Sequence, residues 1–267
     1  MKENETVQVT EETEEDFRKK FEELKELERT RNDILANVTH ELRTPITICV
    51  NALELARDET DEEKREHLLN VGKNAMINLN HIVGNLIDMV SIEKGSFRPE
   101  EGGLDLEEII DTMVEEVKPL TIKNEIKIHT KIEKLPKVKA NKAAMKHVLF
   151  NLITNAIKFN KDKGEINIKA SFQEDPLKPW GEGFVEVSIS DMGIGIPQEH
   201  MDKIFERLYQ VDASSTRTYG GTGMGLAVVK EIVEAHDGKI WVESEVDKET
   251  KFTFTVPEEP REIGKDL

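Results

Sequence analysis

Six consecutive residues near the start of the chain combine groups that acid–base and nucleophilic chemistry draws on. His40-Glu41-Leu42-Arg43-Thr44-Pro45 sets an imidazole, a carboxylate, a hydroxyl and a proline in what otherwise reads as a long amphipathic helix. His40 and Thr44 are four apart and share a helix face, while Glu41 sits about 100° round the cylinder. Pro45 has no N–H for the Glu41 carbonyl and its ring crowds that oxygen, which costs roughly 3 kcal/mol in a helix interior and bends the rod. A bend tolerated beside a histidine is one the histidine can use. A lone helix histidine is otherwise an ordinary surface or core residue, and this segment alone leaves both readings open.

Three further constellations lie downstream. Asn151, Asn155 and Lys158 gather within about 60° on the edge of a helix whose core face, about 100° wide, is Met145, Val148, Leu149, Leu152, Ala156 and Phe159. Two amides and an amine on one line suit a metal–phosphate ligand. Magnesium takes hard oxygen donors and keeps waters and phosphate oxygens for its other positions, and lysine neutralises phosphate charge. A plain solvated edge is the competing reading, although Glu and Lys are its usual residues.

In Val185-Glu186-Val187-Ser188-Ile189-Ser190-Asp191, strict alternation turns Asp191 to the face of Val185, Val187 and Ile189. A carboxylate ending an apolar file needs a donor. An exocyclic amine such as adenine's would serve, with Gly193 and Gly195 letting the backbone approach a flat ligand; a capped strand end with a glycine turn fits as well. Gly220-Gly221-Thr222-Gly223-Met224-Gly225-Leu226 then opens a helix, so its N–H groups form an anion nest at a positive dipole end. No Gly-Lys-Ser/Thr makes it a Walker A loop and no strand feeds it as in a dinucleotide fingerprint. A hinge without a ligand is its plain alternative.

These groups need elements to hold them. Residues 1–12 are polar and acidic and read as frayed. From about Glu14, the residues Phe17, Phe21, Leu24, Leu27, Ile34 and Leu35 recur at steps of three, four or seven, a coiled-coil seam that runs on through the His40 motif to about Ala56. Asp58-Glu59-Thr60-Asp61 breaks it, and Thr60 or Asp61 caps a second helix over about 62–94. Leu68, Ala75, Ile82 and Met89 stand there at strict sevens, interleaved with Gly72, Leu79 and Leu86. Two such helices predict an antiparallel hairpin with an exposed apolar stripe, for which dimerisation into a four-helix bundle is the usual remedy. Gly95 and Pro99 end the second helix and 95–103 reads as a linker.

From Leu104 the texture is mixed. The pattern predicts a helix from Asp105 to about Lys123, a strand over 126–132, a helix from Asn141 to Phe159 and strands at 165–171 and 184–190. An irregular glycine-rich stretch (193–223), a helix at 224–236 and strands at about 239–244 and 251–256 follow. Helices covering one face of a sheet make an α/β sandwich.

Bulk properties bound the partners. A chain of 267 residues is long for one core and predicts two domains. With 34% charged residues and a net charge of −17, it lacks the basic face that nucleic acid requires, so any phosphate must be held by local donors. Hydrophobic residues at 37% and aromatics at 5% suit solvent-flanked helices in the first third. The single cysteine, Cys49, excludes an internal disulfide and fits a reducing compartment. Without an eighteen-residue apolar run or a secretory start, the expectation is a cytoplasmic chain with no direct membrane contact. It would equally be the cytoplasmic portion of a membrane-bound sensor whose upstream domain stands outside this chain.

His-Glu-Leu-Arg-Thr-Pro, Asn-Leu-Ile-Thr-Asn-Ala-Ile-Lys-Phe, Asp-Met-Gly-Ile-Gly-Ile, Phe205-Glu206-Arg207-Leu208-Tyr209 and Gly-Thr-Gly-Met-Gly-Leu stand in the order of the H, N, G1, F and G2 boxes. The chain thereby resembles the sensor histidine kinases of two-component systems over about 34–256. The resemblance implies an N-terminal tail and coiled-coil signalling helix (1–33), a dimerisation and phosphotransfer hairpin (34–95) and a linker (96–103). An ATP-binding domain of the Bergerat, Hsp90-like fold (104–258) and a tail (259–267) complete it. It implies a homodimer that autophosphorylates with ATP and Mg²⁺ and passes the phosphoryl group to an aspartate of a response-regulator receiver domain.

By that resemblance His40 is the phosphoacceptor and Glu41 takes the proton from the imidazole nitrogen that does not attack. Asn155 binds Mg²⁺ through its amide oxygen, Lys158 meets the phosphates and Asn151 supports them. Phe159 stacks near adenine and Asp191 bonds its amino group. Gly193, Gly195, Gly221, Gly223 and Gly225 shape a lid, and Ile196, Tyr209, Thr222 and Leu226 belong to the same nucleotide-contacting boxes. Glu41 and Thr44 also fit the family's phosphatase pattern, which makes the protein bifunctional.

Two positions depart from the pattern. Met192 replaces the usual Asn, and Gln210 stands where many members carry an arginine for the γ-phosphate, a charge Arg207 or Arg217 would have to supply. A slow or non-catalytic signalling scaffold is therefore the alternative. A chaperone- or topoisomerase-type ATPase has no use for the His40 motif, and Thr44 occupies the place of the second histidine of a zinc protease. His67, His81, His129, His147, His200 and His236 carry ordinary structural readings, with His129 directed to solvent.

Overall fold

The computed structural model describes residues 2–93, 103–122, 124–174, 183–207, 209–211 and 223–259. The linker at 95–102, the loop at 212–222 with Arg217, Gly220, Gly221 and Thr222, Leu208, and the tail at 260–267 lie outside the described residues. So do the side chains of Leu24, Leu27, Ile34, Leu35 and Met89.

Helix α1 (Lys2–Asp58) is a continuous 57-residue rod with Pro45 inside it. It begins at Lys2 rather than near Glu14, which corrects the frayed reading of 1–12. That segment holds neither glycine nor proline and is rich in Glu, a good helix former. Contact density divides the chain into Met1–Thr44 and Pro45–Leu267, so the boundary falls at the proline. Helix α2 (Glu62–Glu93) is capped by Asp61, whose Oδ1 accepts the Lys64 N–H at 3.1 Å. Gly72 of α2 packs on the 49–56 part of α1, where a Cβ would make an ordinary contact, 3.6 Å from that of Ala52. Cys49, Ala52, Ala56 and Ala75 are buried with it. Among the described residues no helix is long and apolar enough to cross a membrane.

The second half forms a sheet with helices on it. Its five strands run in the order β2 (Lys127–Ile132), β4 (Glu165–Glu174), β5 (Gly183–Asp191), β7 (Glu249–Pro257), β6 (Ile240–Glu245), with β2–β4 parallel and the rest antiparallel. Ile168, Ile189 and Phe252 stand opposite one another across three strands, as do Ala170, Val187 and Phe254. Against this apolar face pack α3 (Leu106–Thr121), α4 (Lys142–Lys158) and α5 (Gly225–Ala235). Leu149, Leu152, Met113, Ile232 and Phe254 are fully buried there, each contributing roughly 1.5–3 kcal/mol. Asp105 and Asn141 cap α3 and α4 through their side chains, as the spacing predicted. A two-residue pair, β1 (Gly103–Leu104) with β3 (Val138–Lys139), was not foreseen, because two residues show no periodicity.

His236 is more than an ordinary core residue. It is 2% exposed; its Nδ1–H donates to the Ile232 carbonyl at 2.7 Å, and its Nε2 accepts the Asn141 N–H at 3.0 Å. It therefore clasps the end of α5 to the start of α4. His236→Phe keeps the ring volume but strands a buried donor and acceptor, and it lowers the unfolding free energy by about 2–4 kcal/mol. Urea titration checks this: the midpoint falls while the slope stays constant.

Candidate functional site

The site is assembled where α4 ends against the ends of β5 and the β6–β7 hairpin. Asn151 is pinned on α4, its Nδ2 donating to the His147 carbonyl at 2.9 Å and its Oδ1 facing Gly225 at the start of α5. One turn on, Asn155 is half-buried and its side chain makes no hydrogen bond with described residues. A further turn places the Lys158 ammonium 4.5 Å above the Phe159 ring, a cation–π contact at the helix end. Asn151, Asn155 and Lys158 follow one another along the helix, as the spacing predicted, whereas the half-exposed Phe159 ring, expected on the core face, lies under the Lys158 ammonium.

Asp191 stands at the end of β5. It is 5% exposed, and its Oδ1 accepts the Gly193 N–H at 2.9 Å. Burial pushes its carboxyl up to about 6; the Gly193 bond opposes this and nearby Glu249 adds to it. The loop after it is stitched to α4, with Ile194 N–H bonding the Phe159 carbonyl at 3.2 Å. Only glycine fits at 193, because a Cβ would lie 2.1 Å from the Phe159 carbonyl oxygen and 2.7 Å from Asp191 Oδ1. Gly195 has a φ of 71° and sits against the Glu245 carbonyl, and Ile196 N–H bonds Ser244 Oγ at 2.9 Å.

Gly193→Ala must push backbone aside, so it costs about 2–3 kcal/mol of stability. Gly225→Ala meets only the far end of the Asn151 side chain, at 2.8 Å, and has a much smaller effect. Thermal unfolding distinguishes the two.

Two polar residues escaped the sequence reading. Thr250 is buried opposite Asp191 in the β5–β7 register, and its Oγ1 lies 2.8 Å from Ser244 Oγ, which also donates to the Glu249 carbonyl at 3.0 Å. Their only signal in sequence was hydroxyl residues near strand ends, and the register that brings Thr250 to Asp191 is not written locally.

The segment after Ile196 is fixed at several points. Phe205 packs edge-on to Phe252 with ring centres 6.2 Å apart. Tyr209 shares a hydrogen bond with His200 Nδ1 at 2.6 Å. Arg207 directs Nε and Nη2 to Glu231 on α5 at 2.9 and 2.8 Å, an anchoring contact rather than a free cation. Gly223 has a φ of 68° just before α5, whose first residues are Gly225 and Leu226. Arg217, Gly221 and Thr222 lie outside the described residues. Among the described residues no group of three His, Cys, Asp or Glu side chains is placed to hold a metal ion.

In the Met1–Thr44 unit His40 is exposed, Glu41 is half-buried, and Thr44 Oγ1 donates to the His40 carbonyl at 3.2 Å.

Two family models match the chain. The His Kinase A (phospho-acceptor) domain matches residues 30–95, and the histidine kinase-, DNA gyrase B- and HSP90-like ATPase matches residues 140–260. The sensor protein kinase WalK of Staphylococcus aureus (strain MRSA252) is 34% identical over 248 residues, covering 91% of this chain and 39% of the relative. WalK of Bacillus subtilis (strain 168) is 30% identical over 88% of this chain and 38% of its own length. The chain thus spans about two fifths of these relatives. Among solved structures, histidine kinase ThkA in complex with the response regulator protein TrrA is 27% identical, with a TM-score of 0.50, over 85% of this chain and 62% of that one. With a phosphoacceptor helix matched upstream and the ATPase fold matched around Asn155 and Asp191, the chain belongs to the sensor histidine kinases of two-component systems.

Proposed function

We propose that this chain autophosphorylates on His40 with ATP and passes the phosphoryl group to a response-regulator aspartate. The observation that carries the reading is the loop after buried Asp191, hydrogen-bonded to the end of the helix that bears Asn155 and Lys158, in a chain that also presents an exposed His40 beside a carboxylate. Residues 34–95 are the dimerisation and phosphotransfer hairpin and 104–258 the ATP-binding domain.

The ionised Asp191 carboxylate accepts a hydrogen bond from the adenine amine, and Phe159 lies beside the base. Lys158 neutralises phosphate charge. Asn155, whose amide is not engaged by the described residues, would hold Mg²⁺, which would screen the charge of the transferring phosphoryl group. The neutral imidazole of His40 attacks the γ-phosphorus as the bond to the ADP oxygen breaks. Glu41 takes the proton left on the other ring nitrogen. Thr44, one turn from His40, holds the water that hydrolyses the regulator's aspartyl phosphate in the reverse role.

A homodimer is favoured by Leu69, Met76, Val83 and Val90, which recur at sevens along α2 and are 40–50% exposed, with Phe17 and Phe21 exposed on α1. The competing reading, a slow or non-catalytic scaffold, draws on Gln210 and on the commitment of Arg207 to Glu231. Incubation with γ-labelled ATP and Mg²⁺ separates them. Alkali-stable, acid-labile label supports the kinase; a folded, nucleotide-bound dimer that takes up none supports the scaffold.

A further inference from the structure

α2 meets the α/β domain through an aromatic and ionic contact that the reaction does not use. His81 on α2 is 8% exposed and lies parallel to Phe150 of α4, with ring centres 3.2 Å apart and planes within 7°. Its Nε2 stands 3.1 Å from Glu116 Oε1 of α3. Its Nδ1 is buried without a hydrogen-bond partner among the described residues. His147 approaches edge-on, with ring centres 5.9 Å apart, and enters the space left by Gly84 one turn along α2, where a Cβ would overlap the ring. Three helices therefore converge on one imidazole.

We propose that His81 is a proton-operated latch, which holds the α/β domain against α2 while neutral and releases it when protonated.

Neutral, the ring donates through Nε2–H to Glu116 and leaves at Nδ1 an acceptor that tolerates burial better than a charge does. Protonation adds a buried N–H with no acceptor among the described residues and a cation to desolvate. Glu116 favours the charged form from α3, while His147 and Lys146 oppose it from α4. α5 also packs on α2, but its charges are engaged elsewhere, Glu231 with Arg207 and Lys230 with Glu234. Burial is the largest influence and holds the His81 imidazole below its ordinary value of 6.5. In the released state the ring regains that value. Docking is therefore at full strength above about pH 6.5 and weakens as the pH falls below it. The distance test below is independent of the kinase reading; only the consequence, a domain freed to move relative to the hairpin, bears on it.

The test places spin labels at Lys73→Cys on α2 and Lys161→Cys in the α/β domain, in the full chain with Cys49→Ala. Labelled protomers are diluted with unlabelled ones so that only pairs within a protomer are read. A single short distance is expected at pH 8, with its population falling at least threefold by pH 5.5. His81→Phe, which keeps the stack and cannot titrate, holds the short distance at both pH values, and His81→Lys loses it even at pH 8. Circular dichroism confirms that each variant is folded. An unchanged distance in the parent protein at pH 5.5, the same acid-induced loss in His81→Phe, or a docked His81→Lys each overturns the proposal.

Discussion

His40→Gln abolishes incorporation of phosphate from γ-labelled ATP, with label falling at least about a thousandfold, while ADP affinity stays within twofold. Glutamine approximates the length and polarity of histidine but offers no nucleophilic ring nitrogen, so the covalent step has no acceptor. The proposed site for the base and phosphates is built on α4 and the end of β5, which the substitution leaves untouched, so binding is spared. Glu41→Gln is the graded companion. It leaves the nucleophile but removes the proton acceptor, so turnover drops about 10²–10⁴-fold with little change in affinity. Single-turnover labelling, with fluorescence titration of ADP alongside, reads both quantities. Equal loss of binding and labelling in His40→Gln would place the histidine in the nucleotide site and contradict the division of labour.

Asp191→Asn is expected to weaken nucleotide binding at least a hundredfold and, at the same time, to stabilise the unliganded domain. The two effects have one cause. Burial raises the Asp191 carboxyl to about 6, so at pH 7 the folded state carries a charge that the unfolded chain holds more easily. This destabilisation is absent below the ordinary value of 3.8, develops between there and about 6, and persists above it. An amide removes it while its oxygen keeps the Gly193 N–H, a gain of up to about 3 kcal/mol at pH 7. The remaining NH₂ then faces the amine of the base donor to donor, which accounts for about 3 kcal/mol of lost affinity. In the parent protein affinity falls as the pH drops through about 6, where the carboxylate acquires its proton. In Asp191→Asn that dependence is gone. Calorimetric titration across pH 5–8, with thermal unfolding of the same samples, measures both; a variant that binds as tightly as the parent contradicts the assigned role.

Much of the scaffold was legible because its signals are local. Asn141 and Asp105 announce their helices by cap chemistry, Asn151, Asn155 and Lys158 lie on one edge by helical period, and alternation alone turned Asp191 inward. What escaped depends on contacts distant in sequence. Thr250 reaches Asp191 only through the β5–β7 register, and His236 gains its role from Asn141, 95 residues away. His81 read as an ordinary helix histidine because its burial is supplied by Phe150 and Glu116 rather than by its own heptad. Arg207 could be named from its motif, but its engagement with Glu231 could not, since nothing in sequence spacing brings α5 to it.

The proposed function requires a nucleotide seated between the Asn-bearing helix and the end of β5. A crystal structure of the chain soaked with ADP and Mg²⁺ tests this most directly. It should show the purine amine on Asp191 beside Phe159, and the phosphates between Lys158 and a magnesium ion held by Asn155. A cleft filled by the protein's own side chains, with the nucleotide elsewhere or absent at saturating concentration, would contradict it.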